Sequence, residues 1–265
     1  MITIAEKINA TIPSVKEIIE SRDQEKLLLI ARSQAEAGAD YIDINVGTGS
    51  GGQQEEIEAM HWAVSVIQNE IDTPLCIDSA DPEVLAAGLE KRGDKPALIN
   101  STKASDKYLD SVIPLAKKYA HPLVGLAMDE EGIPQSVTKR VDACLKIAAA
   151  CEKEGVMAEK LFFDPLVLPI STDVNQGKVT LRTIAAVKKE IPAAKTVMAL
   201  SNISFGLPKR KIFNTAFLHM AIMSGLDGAI MNVLDKELVG AAKTAEAVMG
   251  KDRHCRKYAR FWRNI

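Results

Sequence analysis

The chain of 265 residues contains few cysteines and few histidines, and this shortage excludes several kinds of site. The four cysteines form no C-x-x-C pair and the four histidines are scattered, so the sequence has no zinc-like cluster and we predict no protein-bound metal. Cys144 and Cys151 lie seven residues apart in a helical pattern, which predicts two small side chains in the core.

A strong charge of one sign and long apolar runs are also absent. The 33 basic and 35 acidic residues give a formal net charge of -2, which provides no general attraction to nucleic acid or to an anionic membrane. The longest apolar runs are about as long as a strand, too short for a transmembrane helix. The amino terminus carries charges within its first seven residues, which predicts a strand instead of a secretory signal and hence a cytoplasmic protein.

What the chain does contain is an eightfold alternation of short β-rich apolar runs with longer helical patterns. Such alternation predicts a parallel sheet, and strands that are apolar on both faces predict a sheet covered on both sides. Eight units in 265 residues fit a closed (β/α)8 barrel of the TIM type, and no G-x-G-x-x-G motif follows the first strand to favour a dinucleotide-binding sheet. We therefore predict one α/β domain over residues 1–265.

The predicted strands are ITIAEKIN (2–9), YIDINVG (41–47), PLCIDS (74–79), ALINST (97–102), PLVGLAM (122–128), LFFDPLV (161–167), TVMALSN (196–202) and GAIMNV (228–233). The predicted helices include Gln24–Ala37, Glu55–Glu70, Ser136–Glu154, Thr180–Glu190 and Arg210–Gly225.

Acidic and amide residues stand at the carboxyl ends of these strands, which converge on one mouth in a barrel and there form the active site. The set comprises Glu6, Asn9, Asp43, Asn45, Asp78, Ser79, Asn100, Ser101, Asp164, Ser201, Asn202 and Asn232. Helix capping is the alternative role, and it accounts for Ser79 or Asp81. Capping explains poorly why LCID, ALIN, LFFD and ALSN each place a carboxylate or amide directly after an apolar run. We therefore assign Asp78, Asn100, Asp164 and Asn202 to the site, whereas both roles stay open for Glu6, Asn9, Asp43 and Asn45.

The chemistry of this mouth restricts its ligand. It offers little fixed positive charge and no glycine cradle for a phosphate, and no Ser/Cys–His pair for acyl transfer. Carboxylates accept parallel N–H bonds and an asparagine amide both donates and accepts, so a flat heterocycle that carries donors and acceptors fits better.

Six motifs in chain order, together with one longer stretch, resemble a known family. The motifs are EKIN, DINVG, CIDS, ALINST, GLAMDEEGIP and FDPLVLP, and the longer stretch is KTVMALSNISFGLPKRKIFNTAFLHMAIMSGLDGAI. Over nearly the whole chain they are similar to the folate domain of cobalamin-dependent methionine synthase, and more so to the stand-alone methyltetrahydrofolate:corrinoid methyltransferases. The resemblance implies a pterin-binding barrel whose substrate is tetrahydrofolate or 5-methyltetrahydrofolate.

The resemblance also implies roles for particular residues. Asp78, Asn100 and Asp164 would hold the pterin, and Asn202 would reach the N5-methyl region. Ser201 and Arg210 fall on motif positions of the family, whereas Phe205 replaces a residue that is polar in some relatives. We expect Asn202 and Asp78 to be catalytic, with Asp43 near the same ring.

No D-x-H-x-x-G motif for holding a corrinoid is present, so the corrinoid is expected on a partner protein that docks over the mouth. The loops Gly47–Gln54 and Asp129–Gln135 are candidates for that contact, and ordinary barrel loops are the alternative. Family resemblance suggests a homodimer, and the basic tail Lys251–Ile265 is expected to form an amphipathic helix packed on the barrel or on a second subunit. Neither a nucleic acid nor a membrane is expected as a partner.

Two other functions stay open at this point. Dihydropteroate synthase shares the pterin barrel, but it needs a lysine after strand seven and an R-x-H motif near the last strand, where this chain has SNISFGLP and no such motif. A folate-binding protein without catalysis is the other possibility, although it has little reason to direct Asn202 at N5.

Overall fold

The predicted parallel barrel is confirmed by a computed structural model that describes residues 1–49, 51–92 and 94–263. Eight parallel strands pair in chain order, and the first closes against the last. The strands are β1 (Ile2–Asn9), β2 (Tyr41–Asn45), β3 (Leu75–Asp78), β4 (Ala97–Lys103), β5 (Leu123–Leu126), β6 (Leu161–Asp164), β7 (Lys195–Ala199) and β8 (Gly228–Met231).

Helices follow the strands and cover the outside of the barrel. They are α1 (Pro13–Ser21), α2 (Gln24–Glu36), α3 (Gln53–Gln68), α4 (Pro82–Lys91), α5 (Asp106–Tyr119), α6 (Val137–Lys153), α7 (Gln176–Glu190), α8 (Arg210–Ser224), α9 (Lys236–Val248) and α10 (Arg256–Arg263). Short 3-10 helices span Ala158–Lys160, Leu200–Ser204 and Arg253–Cys255. Among the described residues, no helix is both long and apolar enough to cross a membrane.

Six of the predicted strands extend past the observed strands at their carboxyl ends, namely β2, β3, β5, β6, β7 and β8. Pro165 follows β6 directly and cannot donate to a ladder, so that strand ends at Asp164. After β7 the chain turns into the 3-10 helix Leu200–Ser204. Ser201 and Asn202 therefore lie on this single turn and not on the strand itself.

Side chains from alternate strand positions fill the inside of the barrel and close it as a solid plug. Ile4, Cys76, Leu98, Val124, Phe162 and Val197 form this inner cluster, and all are at most 2% exposed. The opposite faces of the strands pack against the helices. Cys144 and Cys151 belong to that outer layer, as predicted, and both are fully buried.

The helix ends carry the signals that their sequences predict. Asp23, Asp81, Ser136 and Asp235 each accept a hydrogen bond from a backbone N–H in the first turn of the helix that follows. The capping role considered for Asp81 is thus confirmed. Gly88 has a packing reason, because a Cβ there would lie 2.6 Å from the Cγ2 atom of Ile77 and force α4 off β3.

The basic tail forms the expected terminal helix over its described part. Helix α10 packs on α9, where the Trp262 ring lies so close to Gly240 that a Cβ there would clash with it. Asn264 and Ile265, the end of the predicted tail, lie outside the described residues.

Candidate active site

The candidate site is the first polar layer above the apolar plug. Because side chains alternate along a strand, the inward position two residues after each plug residue faces the mouth. These steps lead from Cys76 to Asp78, from Leu98 to Asn100, and from Phe162 to Asp164. Strand register places Asp78 beside Asn45 on one side and beside Asn100 on the other. Residues far apart in the sequence therefore share one level of the barrel.

Asp78 is partly buried at the centre of this layer. Its Oδ2 atom accepts a hydrogen bond of 2.8 Å from Nδ2 of Asn45, whose own Oδ1 accepts from the backbone N–H of Gly47. Burial raises the pKa of Asp78 to about 6, and the hydrogen bond from Asn45 opposes that rise. The pKa of the Asp78 carboxyl group therefore lies above the ordinary value for an aspartate.

Asp43 lies deeper, with 2% of its surface exposed. Burial and the neighbouring charge of Asp78 raise its pKa well above the ordinary value, while hydrogen bonding with Cys76 and Asn100 lowers it in part. Its Oδ1 atom is buried and has no hydrogen-bond partner among the residues that the structure describes. A buried carboxyl oxygen without a partner is costly, so Asp43 can accept a further hydrogen bond at this level of the barrel.

Asp164 is 7% exposed and lies on the side of the layer formed by β6. Its Oδ1 atom accepts a hydrogen bond of 2.8 Å from the backbone N–H of Leu166. Burial raises its pKa to about 7; the hydrogen bond from Leu166 and the positive charge of Arg140 oppose this, and the charge of Asp78 adds to it. The raised pKa values of three carboxyl groups in one mouth are typical of a functional site.

The turn after β7, the strand next to β6, builds another part of the wall of the mouth. Ser201 donates a hydrogen bond of 3.0 Å to Oε2 of Glu6, and Arg210 donates to the carbonyl oxygen of Ser201 and to the hydroxyl of Ser204. Burial raises the pKa of Glu6, and the hydrogen bond from Ser201 lowers it. These contacts fix the turn that carries Asn202, whose exposed side chain lines the cleft.

Two clefts open from this layer, and Asp78 lines both. One, of about 690 Å³, contains Asp43, Ser201, Asn202 and Arg210, and its wall also includes Glu6, Asn9, Phe205 and Asn232. The other, of about 950 Å³, runs past Asn45 and Ser79 towards α5. The side chain of Asn9 is less available to a ligand than the others. Its Oδ1 atom already accepts hydrogen bonds from the backbone N–H and the hydroxyl of Thr11 in the same turn.

Asn100 and Asp164 do not line these two clefts among the described residues. The electrostatic effects of Asn100 on Asp43 and of Asp78 on Asp164 nevertheless place both in the same layer. The structure thus brings the sequence-predicted residues to one end of the barrel, although Asp164 does not line the cleft that contains Asn202.

Sequence reasoning missed Arg140, which is fully buried beneath this mouth. The available signal was its place in the helical pattern: Arg140, Cys144, Ile147 and Cys151 share one stripe of α6, and the other three are core residues. A charged residue at the start of an apolar stripe has to find buried partners.

The layer can recognise a neutral flat ring by its N–H groups through carboxylate oxygens and by its acceptors through amides. Within the described part of the chain, no group of three or more His, Cys, Asp and Glu residues could hold a metal ion. The carboxyl and amide groups of the layer supply hydrogen bonding and negative charge.

Known sequences resemble this chain over nearly the whole barrel. A family model described as pterin binding enzyme matches residues 5–232. The methylcorrinoid:tetrahydrofolate methyltransferase of Eubacterium limosum is 36% identical over 266 residues, which cover 99% of this chain and 96% of that protein. The methionine synthase of Mycobacterium leprae (strain TN) is 29% identical over 88% of this chain, which corresponds to 20% of that longer protein.

Solved structures share the architecture. Dihydropteroate synthase of Yersinia pestis with a pterine-sulfa conjugate superposes with a TM-score of 0.72 at 18% identity, covering 94% of both chains. The 7,8-dihydropteroate synthase of Vibrio fischeri ES114 gives a TM-score of 0.72 at 16% identity, covering 94% of this chain and 93% of the other. At these identities the likeness shows the fold alone.

Proposed function

Because this chain belongs to the pterin-binding enzyme family, we propose that it is a methyltransferase acting between N5 of tetrahydrofolate and the cobalt of a corrinoid carried by a separate protein. The observation that carries the proposal is the layer of buried carboxyl and amide groups at the barrel mouth, which includes an unpartnered oxygen of Asp43. Tetrahydrofolate and its 5-methyl form are the substrates at this layer.

The pterin ring fits the donor and acceptor pattern of the layer. Its exocyclic amine and ring N–H groups are donors for the carboxylates of Asp164 and Asp78, and the Asn100 amide suits a neighbouring donor and acceptor on the ring. Each such bond, when lost from one side only, leaves a buried polar group unpaired at a cost of roughly 1–3 kcal/mol. Recognition of the ring is thus assigned to Asp78, Asn100 and Asp164, with Asp43 beneath them.

Methyl transfer requires positive charge on N5, because a tertiary amine leaves or forms most readily through its protonated state. The carbonyl oxygen of Asn202 accepts a hydrogen bond from protonated N5, and this bond strengthens as the proton arrives from water. Asp78, in the same cleft, contributes a negative field that favours that charge. Ser201, Glu6 and Arg210 hold the turn so that the amide of Asn202 stays in place. The corrinoid, when bound on its partner, supplies a cobalt that donates or accepts the methyl group.

The partner docks over the mouth in this proposal. Asn202 is exposed at the rim of the cleft, where a methyl group on N5 could meet a second macromolecule. The loops Gly47–Gln54 and Asp129–Gln135 flank the opening and are the proposed contacts; Ser50 in the first of them lies outside the described residues. We further propose that the chain acts as one domain, forms a homodimer and works in the cytoplasm.

Loss of cob(I)alamin absorbance in the presence of 5-methyltetrahydrofolate tests the function directly. We expect the wild-type chain to consume cob(I)alamin when 5-methyltetrahydrofolate is present, and not when the folate is left out of the assay. Folate binding without methyl exchange would favour the non-catalytic binding protein, and formation of dihydropteroate from pterin pyrophosphate and p-aminobenzoate would favour the synthase.

A further inference from the structure

Arg140 is a fully buried cation that the proposed chemistry does not use. It lies in the first turn of α6, and its guanidinium donates to four acceptors at 2.8–2.9 Å. These are the carbonyl oxygens of Pro134, Pro165 and Leu166 and the Oε1 atom of Gln176. Only a planar fork with several N–H groups can serve acceptors in so many directions, which a lysine cannot do.

Two of these acceptors belong to the residues that follow Asp164. Leu166 has a φ of 64°, a left-handed conformation that is disfavoured for residues with a Cβ atom. In this conformation its N–H points back to Oδ1 of Asp164, at 2.8 Å, while its carbonyl oxygen accepts from Arg140. The guanidinium therefore holds the turn that orients the Asp164 carboxylate.

The other acceptors tie this turn to the neighbouring loop. Pro134 lies in the proposed docking loop Asp129–Gln135, and the Nε2 atom of Gln176 donates to Oε1 of Gln135 at 2.8 Å. Arg140 and Gln176 thus join the loop after β5 to the loop after β6.

The charge of Arg140 acts on the same carboxyl group. Burial raises the pKa of Asp164 and the positive charge of Arg140 lowers it. The other titratable groups that face Asp164 are Asp78 on β3, whose charge raises that pKa, and Cys144 on α6, a thiol whose own pKa is raised by burial.

We infer that Arg140 is a positioning residue for folate: it fixes the Asp164 carboxylate for the pterin ring through the Pro165–Leu166 turn. The inference rests on the proposed function, because it presumes that Asp164 binds the pterin. Arg140 touches no reacting atom, so its removal weakens folate binding and leaves the rate at saturating folate nearly unchanged.

The test is calorimetric titration of tetrahydrofolate into Arg140→Met and Arg140→Lys between pH 5.5 and 9. For Arg140→Met we expect affinity at pH 8 to fall about tenfold or more, because a buried turn loses its donors. The pH at which affinity is half-maximal should rise by about one unit, because the carboxylate form loses a favourable charge. Arg140→Lys keeps the charge, so it should lose affinity while its midpoint stays near that of the wild type.

Arg92→Met is the matched control. Arg92 is also buried, at 8% exposure, and donates to the carbonyl oxygen of Lys95 at the opposite end of the barrel. The Arg92→Met substitution should lower the free energy of unfolding measured in urea without changing folate affinity. Equal loss of affinity in Arg92→Met and Arg140→Met would overturn the inference, as would wild-type affinity and midpoint in both Arg140 variants.

The two proposals fail in different ways. If the wild-type chain binds no folate, the proposed function is wrong. If the wild type binds folate and Asp164→Asn binds it less tightly, while neither Arg140 variant does, only the role of Arg140 is wrong. Should Arg140→Met not fold, the Arg140→Lys titration alone decides, because this variant keeps the charge and the length of the side chain.

Discussion

The two ends of the barrel differ in how their charged side chains are paired. At the amino-terminal end, charged groups have partners of opposite sign or backbone acceptors. Asp227 accepts from the Lys188 ammonium at 3.0 Å and from the Thr196 N–H at 2.9 Å, and Lys95 donates to two carbonyl oxygens. At the mouth, Asp43 and Asp164 are more deeply buried than Asp227, and burial raises the pKa of each.

This difference separates stability from function. Charges at the amino-terminal end are satisfied within the chain and support the fold, whereas the carboxyl groups of the mouth keep raised pKa values, and Asp43 has an oxygen with no partner among the described residues. Barrel enzymes generally place their sites at the carboxyl end of the strands, and groups held in an unfavourable environment there lower stability for the sake of activity. Substitutions at the two ends should therefore have opposite consequences.

The largest expected effect is on the reaction and comes from the mouth. Asn202→Ala should slow methyl transfer by roughly 10²–10³, the scale of losing one preorganised polar partner, because protonated N5 loses its acceptor. Single-turnover transfer measured with saturating folate checks this. An unchanged rate would reject the role of Asn202 and leave the mouth as a binding surface.

Asp164→Asn should mainly weaken folate binding, by roughly 10–100-fold, because its partner is the ring and a lost buried hydrogen bond to a charged group is worth about 1.5–3 kcal/mol. Calorimetry should show the weaker affinity, and kinetics should show a higher KM with a smaller change in kcat. A fall in kcat at unaltered affinity would contradict the assignment.

Asp227→Asn is the counterpart at the other end. It should leave folate binding unchanged and lower the free energy of unfolding by about 1–3 kcal/mol, because the Lys188 ammonium and a backbone N–H lose a charged acceptor. Urea unfolding of the two variants side by side makes the comparison. Loss of folate affinity in Asp227→Asn at unchanged stability would remove the distinction between the two ends.

The pH dependence of stability sharpens the contrast. Because the pKa of Asp164 in the folded chain is about 7, above its ordinary 3.8, its stabilising contribution is complete below about pH 4 and is lost as the pH rises through 7. Asp164→Asn cannot ionise, so its stability relative to the wild type should increase by about 2–3 kcal/mol between pH 5 and pH 8, because each pKa unit corresponds to about 1.4 kcal/mol. Urea unfolding at both pH values gives the sign, and an advantage that shrinks as the pH rises would contradict it.

The smallest effect is expected three residues from the site. Asp81 caps α4 through its bond to the Glu83 N–H, so Asp81→Ala should cost about 1 kcal/mol of stability and leave methyl transfer intact. Thermal unfolding and the corrinoid assay measure the two quantities. A strong loss of transfer would place Asp81 in the site together with Asp78.

The sequence was sufficient for the barrel and for the level of its polar layer. The ends of the strands can be located in the sequence because an apolar run stops where a polar residue faces the mouth, as at Asp78 and Asn100. The turn after β7 was not predicted, since ALSN continues the β-pattern while the tertiary contacts of Ser201 and Arg210 bend it. Arg140 was missed for a similar reason: its acceptors are backbone carbonyl groups, and their positions depend on how the loops fold.

The apolar cluster inside the barrel closes it below the polar layer. Ile4, Leu98, Val124 and Phe162 seal its floor, so the folate ring enters and leaves only through the end that the corrinoid protein is proposed to cover. A partner bound at that end, as proposed, would block the exchange of folate. In the proposed complex, the partner has to dissociate before each exchange of folate, so the lifetime of that complex would help to determine the rate.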